Sequence, residues 1–305
     1  MDQVQVFSPA TVANVVCGFD VLGFALNEPG DQMLVRRINE KVVRIIHNDN
    51  FGLPIEPREN VAGVTLLAVL EAAACDFGFE VEITKSIMPG SGIGSSAASA
   101  AGAAVAANRL LGNMFDMNAL IGFAMQGERL ASGALHADNV APAIIGGFTL
   151  VRSHEPLDVI SLDYPPLYVT VVHPQIEVKT SDARSVLKQQ VPLSTVVKQT
   201  ANFGALVTGL NRGDYGLIAR SLEDHIIEPI RSLLIPEFER VVRRSKDAGA
   251  LGGGISGSGP SIFMLSKTEE AARCVAAEMA KTYDPTGLQF KIYISSVNPN
   301  GVSII

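Results

Sequence analysis

The sequence predicts an α+β fold in two domains, on three observations. At 305 residues it is about twice the usual domain length. Strand-like and helix-like segments alternate through the first half, while the second half closes with a helix and then a strand, the order of a small α+β layer rather than a doubly wound sheet. Residues 153–166, with prolines at 156, 165 and 166, separate the halves and divide the chain into 1–155 and 156–305.

The elements follow in order. Residues 4–7, 33–38 and 42–47 are short, β-branched and alternating, the pattern of strands. Residues 61–74 are apolar too continuously for a strand and long enough for a buried helix. Residues 79–85 return to alternation, with Val81 and Ile83 on one face, and lead into the loop SIMPGSGIGSS. An alanine-dense helix follows over 97–111, with Gly112 as its stop signal. A helix over 117–130 and a strand over 146–151 complete the first half. Beyond the proline stretch come a strand at 167–173 and helices at 181–190, 195–211, 215–223 and 236–248. A glycine-rich loop at 251–260 precedes a strand at 261–265, a helix at 267–283 and a strand at 289–297.

Composition narrows the function classes. With 47% hydrophobic and 18% charged residues the chain can bury a sizeable core, which excludes disordered and fibrous classes. A net charge of −7 has the wrong sign for holding nucleic acid or anionic lipid by bulk attraction, so an anionic ligand must be gripped locally. Cys17, Cys75 and Cys274 are spaced for neither a disulfide framework nor a zinc motif. The opening residues lack a basic and then apolar secretory pattern, and the expected compartment is the cytoplasm. Residues 86–108 carry no charge, but Pro89, four glycines and several serines argue against a membrane helix.

Several segments bear chemistry-competent residues. Pro89, Gly90, Ser91, Gly92, Ile93, Gly94, Ser95 and Ser96 lie between a strand and a helix, where free backbone N–H groups and the positive helix end favour an anion. No lysine follows the last glycine as in a Walker loop, and Ser95 stands where a dinucleotide fingerprint needs its third glycine. A tight turn before a helix is the plain alternative. The second glycine loop, containing Gly257, Ser258 and Gly259, could form another anion nest. Near the start, Asn14 and Asp20 are polar residues in an apolar stretch, fit either for Asx turns or for ligand contact. His136, Asp138 and Asn139 follow a helix that carries Glu128, and no placed nucleophile makes them a triad. Thr180 and Ser181 are candidate helix caps, with Arg184 one turn inside; Arg184 and Arg231 offer guanidinium forks suited to a carboxylate.

Taken together, SPATVANVVCGFDVLGFAL, the first glycine loop, HADNVAPAIIGG, TSDARSVL and EPIRSLLIPEF resemble the GHMP small-molecule kinases over nearly the whole chain, and within them the homoserine kinase branch. The resemblance implies an N-terminal domain like ribosomal protein S5, a ferredoxin-like C-terminal domain and an active site between them. It implies ATP and Mg²⁺: Met88 and the loop through Ala97 and Ala98 on the phosphates with Gly257, Ser258 and Gly259, Asn60 near the nucleoside, and Ser96 with Glu128 on the cation. Asn14, Asp20, His136, Asn139, Thr180, Arg184 and Arg231 match the amino-acid pocket, Asp20 facing the ammonium and the arginines the carboxylate. Met88 stands where family loops carry a proline. Asn139 stands where some relatives carry a catalytic aspartate, and an amide is no base at neutral pH; with Ser96 and Glu128 it forms the expected catalytic set. The implied reaction is phosphorylation of the homoserine side-chain hydroxyl, in threonine formation, by a protein with small-molecule partners, no nucleic acid or membrane, and a homodimer as a possible assembly. Another alcohol kinase of the superfamily, or a non-catalytic sensor of ATP or an amino acid, is the rival reading.

Overall fold

The computed structural model describes residues 2–133, 135–176, 178, 180–188 and 190–305; the side chains of Ser132, Thr180, Ser181 and Asp182 lie outside the described set. In chain order the elements are β1 (Gln3–Ala13), β2 (Leu22–Ile38), β3 (Val43–His47), α1 (Val61–Ala73), β4 (Gly78–Thr84), α2 (Ser95–Leu110), α3 (Met117–Ser132), α4 (Val140–Ile145), β5 (Phe148–His154) and β6 (Leu157–Leu162). There follow β7 (Tyr168–Pro174), α5 (Thr180–Ser185), α6 (Leu193–Arg212), α7 (Tyr215–Ser221), α8 (Glu228–Arg231), α9 (Phe238–Asp247), β8 (Gly252–Ile255), β9 (Ile262–Ser266), α10 (Glu269–Tyr283), β10 (Phe290–Ser296) and β11 (Ser303–Ile304).

Two sheets carry this α+β architecture. The larger has the order β11-β1-β2-β4-β3, with β5 pairing β2 and β6 pairing β5; the smaller is the antiparallel set β10-β7-β9-β8. β1 and β2 run longer than the alternating runs predicted, because Ser8, Thr11 and Asp31 are polar yet fully buried and break the apolar pattern. The division expected between residues 155 and 156 falls inside the β5–β6 hairpin, so the passage between sheets comes after Leu162 instead. The chain also returns at its end to the first sheet, where β11 pairs with β1.

The packing explains the alanine tract. α2 is buried along almost its whole length against β1, α1, α3 and α4. A methyl on Gly102 would stand 2.5 Å from Met33 Sδ and 3.1 Å from Ser8 Cβ, so only small residues let the helix approach the sheet. Ser8 Oγ fixes the contact by donating to Ala98 O at 2.7 Å. One apolar cluster lies between the first sheet, α1 and α2, and another joins Phe24, Phe148 and Phe263 across the two sheets. Tyr283 anchors a third beneath β9 and α9. These cores aim the start of α2 at the ends of β1 and β8. Among the described residues no helix is long and apolar enough to cross a membrane.

Candidate active site

The first glycine loop joins β4 to α2. Gly90, Gly92 and Gly94 all take positive φ, and Gly94 is the N-terminal cap residue of α2, without a side chain to satisfy the helix's first N–H groups. Those groups remain for an anion. The loop's back is clamped by the second glycine loop: Ser256 Oγ donates to Gly92 O at 2.8 Å and Ser261 Oγ to Ser91 O at 2.6 Å. A Cβ on Gly92 would lie 2.5 Å from Gly259 O, which is why glycine is required there. The second loop is thus first a brace, and its initial residues, Gly252–Ile255, are strand β8.

Below the loop sits a buried ion pair that sequence reasoning missed. Lys85 Nζ donates to Asp31, to Ser95 O at 3.1 Å and to Ser99 Oγ at 2.9 Å. Asp31 Oδ1 also accepts from Ser86 N and Ile87 N, at 2.8 and 3.0 Å. With side chains 2% and 0% exposed, the pair ties β2, the loop entry and the first turn of α2 together. Loop entry therefore depends on Asp31 rather than on a proline at position 88. A lone lysine ending an apolar strand and an aspartate after Gly30 were the available signals.

A single cavity of about 680 Å³ opens in front of the loop. At one end are His47, Leu53, Pro54, Asn60 and Val61. Asn60 proves to be the cap of α1: its Oδ1 accepts from Ala62 N and Gly63 N, and its Nδ2 donates to Pro54 O at 2.7 Å. It lines that wall with its amide already engaged. In the middle, Ser96, in the first turn of α2, is hydrogen-bonded to Glu128. Burial, with the Asp138 carboxylate nearby, pushes the Glu128 carboxyl up to about 7 despite that bond. A hydroxyl and a buried carboxylate beside free helix N–H groups form a donor set that fits a hard divalent cation bound together with phosphate. Among the described residues no group of three or more His, Cys, Asp or Glu side chains could hold a metal.

The far end carries the charged pocket. Asn14 and Asp20 both have positive φ, and Asn14 Oδ1 accepts from Asp20 N at 2.8 Å while Asn14 Nδ2 donates to Gly257 O at 2.8 Å. The turn and ligand readings hold together, since both residues also line the cavity. Arg184 Nη2 reaches Asp20 Oδ1 and Oδ2, each at 2.9 Å, so this arginine and this aspartate pair with each other. Arg231 is 3% exposed and donates to Ala183 O and Gly257 O, at 2.9 and 3.4 Å. Both guanidinium groups lie over the Phe19 ring, at 5.8 and 5.0 Å, a platform that sequence reasoning missed. His136 Nδ1 stands 3.8 Å from Asp20 Oδ1, and burial lowers its pKa. The side chain of Thr180 lies outside the described residues.

Between the ends lie Asp138 and Asn139. Asp138 is buried, and desolvation followed by the charge of Asp20 pushes its carboxyl up to about 7. Asn139 is the cap position preceding α4, and Thr11 Oγ1 donates to its Oδ1 at 2.7 Å. Other expected residues are off the cavity wall. Ile93, Ala97 and Ala98 are fully buried in apolar clusters, and Ser91 is 1% exposed. Met88 contributes its carbonyl to the turn with Ser91 N, and Gly259 packs against Ile235 and Ile255. The cavity is bounded instead by Gly90, Gly92, Gly94, Ser95 and Ser96, with Pro89, Gly257 and Ser258. A linear motif does not reveal which of its residues turn inward.

Comparison with known proteins agrees with this geometry. The model of the GHMP kinases N terminal domain matches residues 60–147, and that of the GHMP kinases C terminal domain matches residues 206–285. The chain is 46% identical to a homoserine kinase of Chloroherpeton thalassium, with 100% of both chains covered. It is 45% identical to a homoserine kinase of Chlorobium phaeobacteroides, again over 100% of both. The crystal structure of a homoserine kinase from Cytophaga hutchinsonii superposes with a TM-score of 0.96 at 50% identity, covering 100% of this chain and 98% of that one. On these matches, with the uncapped start of α2 and the charged pocket lining one cavity, the chain belongs to the GHMP kinase family.

Proposed function

We propose that this protein catalyses the ATP-dependent, Mg²⁺-assisted phosphorylation of the side-chain hydroxyl of homoserine, in the threonine-forming pathway. One observation carries the reading: a single cavity joins the uncapped start of α2 and the Ser96–Glu128 pair to Asp20, Arg184 and Arg231. The first set suits a triphosphate with a hard cation, and the second suits a zwitterion. When bound, ATP supplies the phosphoryl group and Mg²⁺ neutralises its charge.

The chain's own residues then have distinct tasks. The helix start and loop amides hold the phosphates, and Ser96 and Glu128 hold the cation. Arg231 and Phe19 form the fixed floor of the amino-acid pocket. Asp20 and Arg184 exchange their mutual pair for the substrate's ammonium and carboxylate, so the pocket stays charge-balanced when empty or filled. Asn139 orients the attacking hydroxyl. The substrate O–P bond forms as the γ-phosphorus leaves the ADP oxygen, and the hydroxyl proton passes to phosphate or water.

The test is ADP release across a panel of small alcohols. Release that depends on homoserine, with R184L raising the KM for homoserine at least about tenfold and that for ATP less than about twofold, is expected. Release stimulated equally by mevalonate or a sugar, or none with any alcohol, defeats the assignment.

A further inference from the structure

We infer that Thr11 is a positioning residue for phosphoryl transfer, locking the Asn139 amide to the phosphate-binding loop. The inference rests on the kinase reading above. Thr11 is fully buried in β1, just past an irregularity in the β1–β2 register between Pro9 and Thr11. Such irregularities re-aim groups out of the ladder. Here the Thr11 N–H donates to Ile93 O in the loop at 3.2 Å. Its hydroxyl donates to Asn139 Oδ1 at 2.7 Å. One residue thus holds the phosphate loop with its backbone and the Asn139 amide with its side chain.

Gly94, the cap residue of α2, packs onto this bond: a Cβ there would stand 2.0 Å from Thr11 Oγ1 and 3.1 Å from Asn139 Oδ1. The helix start, the threonine hydroxyl and the amide are therefore one contiguous stack. Asn139 makes no side-chain capping bond to α4, and its Oδ1 is taken by the Thr11 hydroxyl. With Oδ1 engaged by Thr11, Nδ2 remains as the amide's donor in a residue that lines the cavity. An amide has a donor edge and an acceptor edge, and a half-turn exchanges them. With Oδ1 bonded to Thr11, the free donor edge can hold the attacking oxygen by its lone pair or a phosphoryl oxygen, and the Thr11 bonds keep it at a fixed distance from the loop. A misplaced group in an otherwise intact site lowers the rate of transfer more than the binding of either substrate.

The experiment uses the full chain with steady-state ADP release and thermal unfolding. T11V removes the hydroxyl at nearly constant volume, and T11S retains it. The expected result is a kcat lower by about 10–100-fold in T11V, with both KM values within about threefold of wild type, and recovery to within about threefold in T11S. T11A carries the same expectation as T11V should the latter lose its fold. In T11V/N139L the loss should equal that of N139L alone within about twofold, because the hydroxyl acts through the amide. A folded T11V with wild-type kcat, a T11S as impaired as T11V, or losses that multiply in the double variant would each overturn the inference while leaving the kinase reading intact. A wild-type chain that releases no ADP with homoserine would overturn both.

Discussion

Replacing Lys85 with methionine tests how the first glycine loop is held. The change keeps most of the side chain's volume but removes three donors, to Asp31, Ser95 O and Ser99 Oγ. Asp31, 0% exposed at its side chain, keeps only the Ser86 and Ile87 amides and becomes an uncompensated buried charge. Breaking a buried pair from one side costs about 3–5 kcal/mol. At about 2–4 °C per kcal/mol for a chain of this general size, the midpoint of unfolding should fall by about 6–20 °C. D31N/K85M should be less destabilised than the sum of D31N and K85M, because the orphaned charge is gone. Because the pair fixes the loop entry and the first turn of α2, K85M should also raise the KM for ATP at permissive temperature. Thermal unfolding of the four proteins and ADP-release kinetics read all of this. A K85M midpoint within about 2 °C of wild type, or strict additivity in the double variant, would refute the reasoning.

Two further outcomes follow from the geometry. Gly92→Ala forces a Cβ to 2.5 Å from Gly259 O and 2.8 Å from Ser256 O at φ +80, so the loops must part and the KM for ATP should rise at least about tenfold; Gly122→Ala, with nothing within 4 Å, should leave kinetics unchanged. Equal kinetics in the two variants would contradict the brace. Between the ordinary aspartate value of 3.8 and about 7, Asp138, pushed up by burial and Asp20, keeps a proton in the folded chain that the unfolded chain has already lost. Its contribution to stability is therefore complete below the unfolded value and is lost as pH rises through about 7. Unfolding midpoints recorded across that range without nucleotide or metal should decline, and D138N should flatten the decline. An unchanged slope in D138N would count against a buried acid at this position.

Much of the protein is legible in its linear order. The α+β class, the boundaries of α2 and α3 within a few residues, and the strand–loop–helix motif all follow from local patterns: alternation, alanine density, caps and glycines. The stop at Gly112 is local chemistry too, decided within a turn of helix, whereas the cap at Asn60 emerged only with the structure. The motif set was enough to indicate the family, because each motif is contiguous. What it could not give was direction. Ile93 and Ala97 sit inside a loop-to-helix motif yet face apolar cores, while their neighbours Gly94 and Ser96 face the cavity.

Only the tertiary structure decided the long-range pairs. Lys85 meets Asp31 across 54 positions, Thr11 meets Asn139 across 128, and Arg184 meets Asp20 across 164. No local propensity encodes such partners; Lys85, Asp31 and Thr11 enter the interior because sheet register and helix packing bring a partner to satisfy each, while Arg184 and Asp20 meet at the partly exposed mouth of the cavity. Composition, punctuation and contiguous motifs thus determine the kind of fold and the kind of ligand. The closing of β1, α2 and the second sheet around one cavity decides which charges neutralise one another, which amide edge remains free and which carboxyls hold protons near neutrality, because those properties depend on desolvation and on distances set by the completed fold.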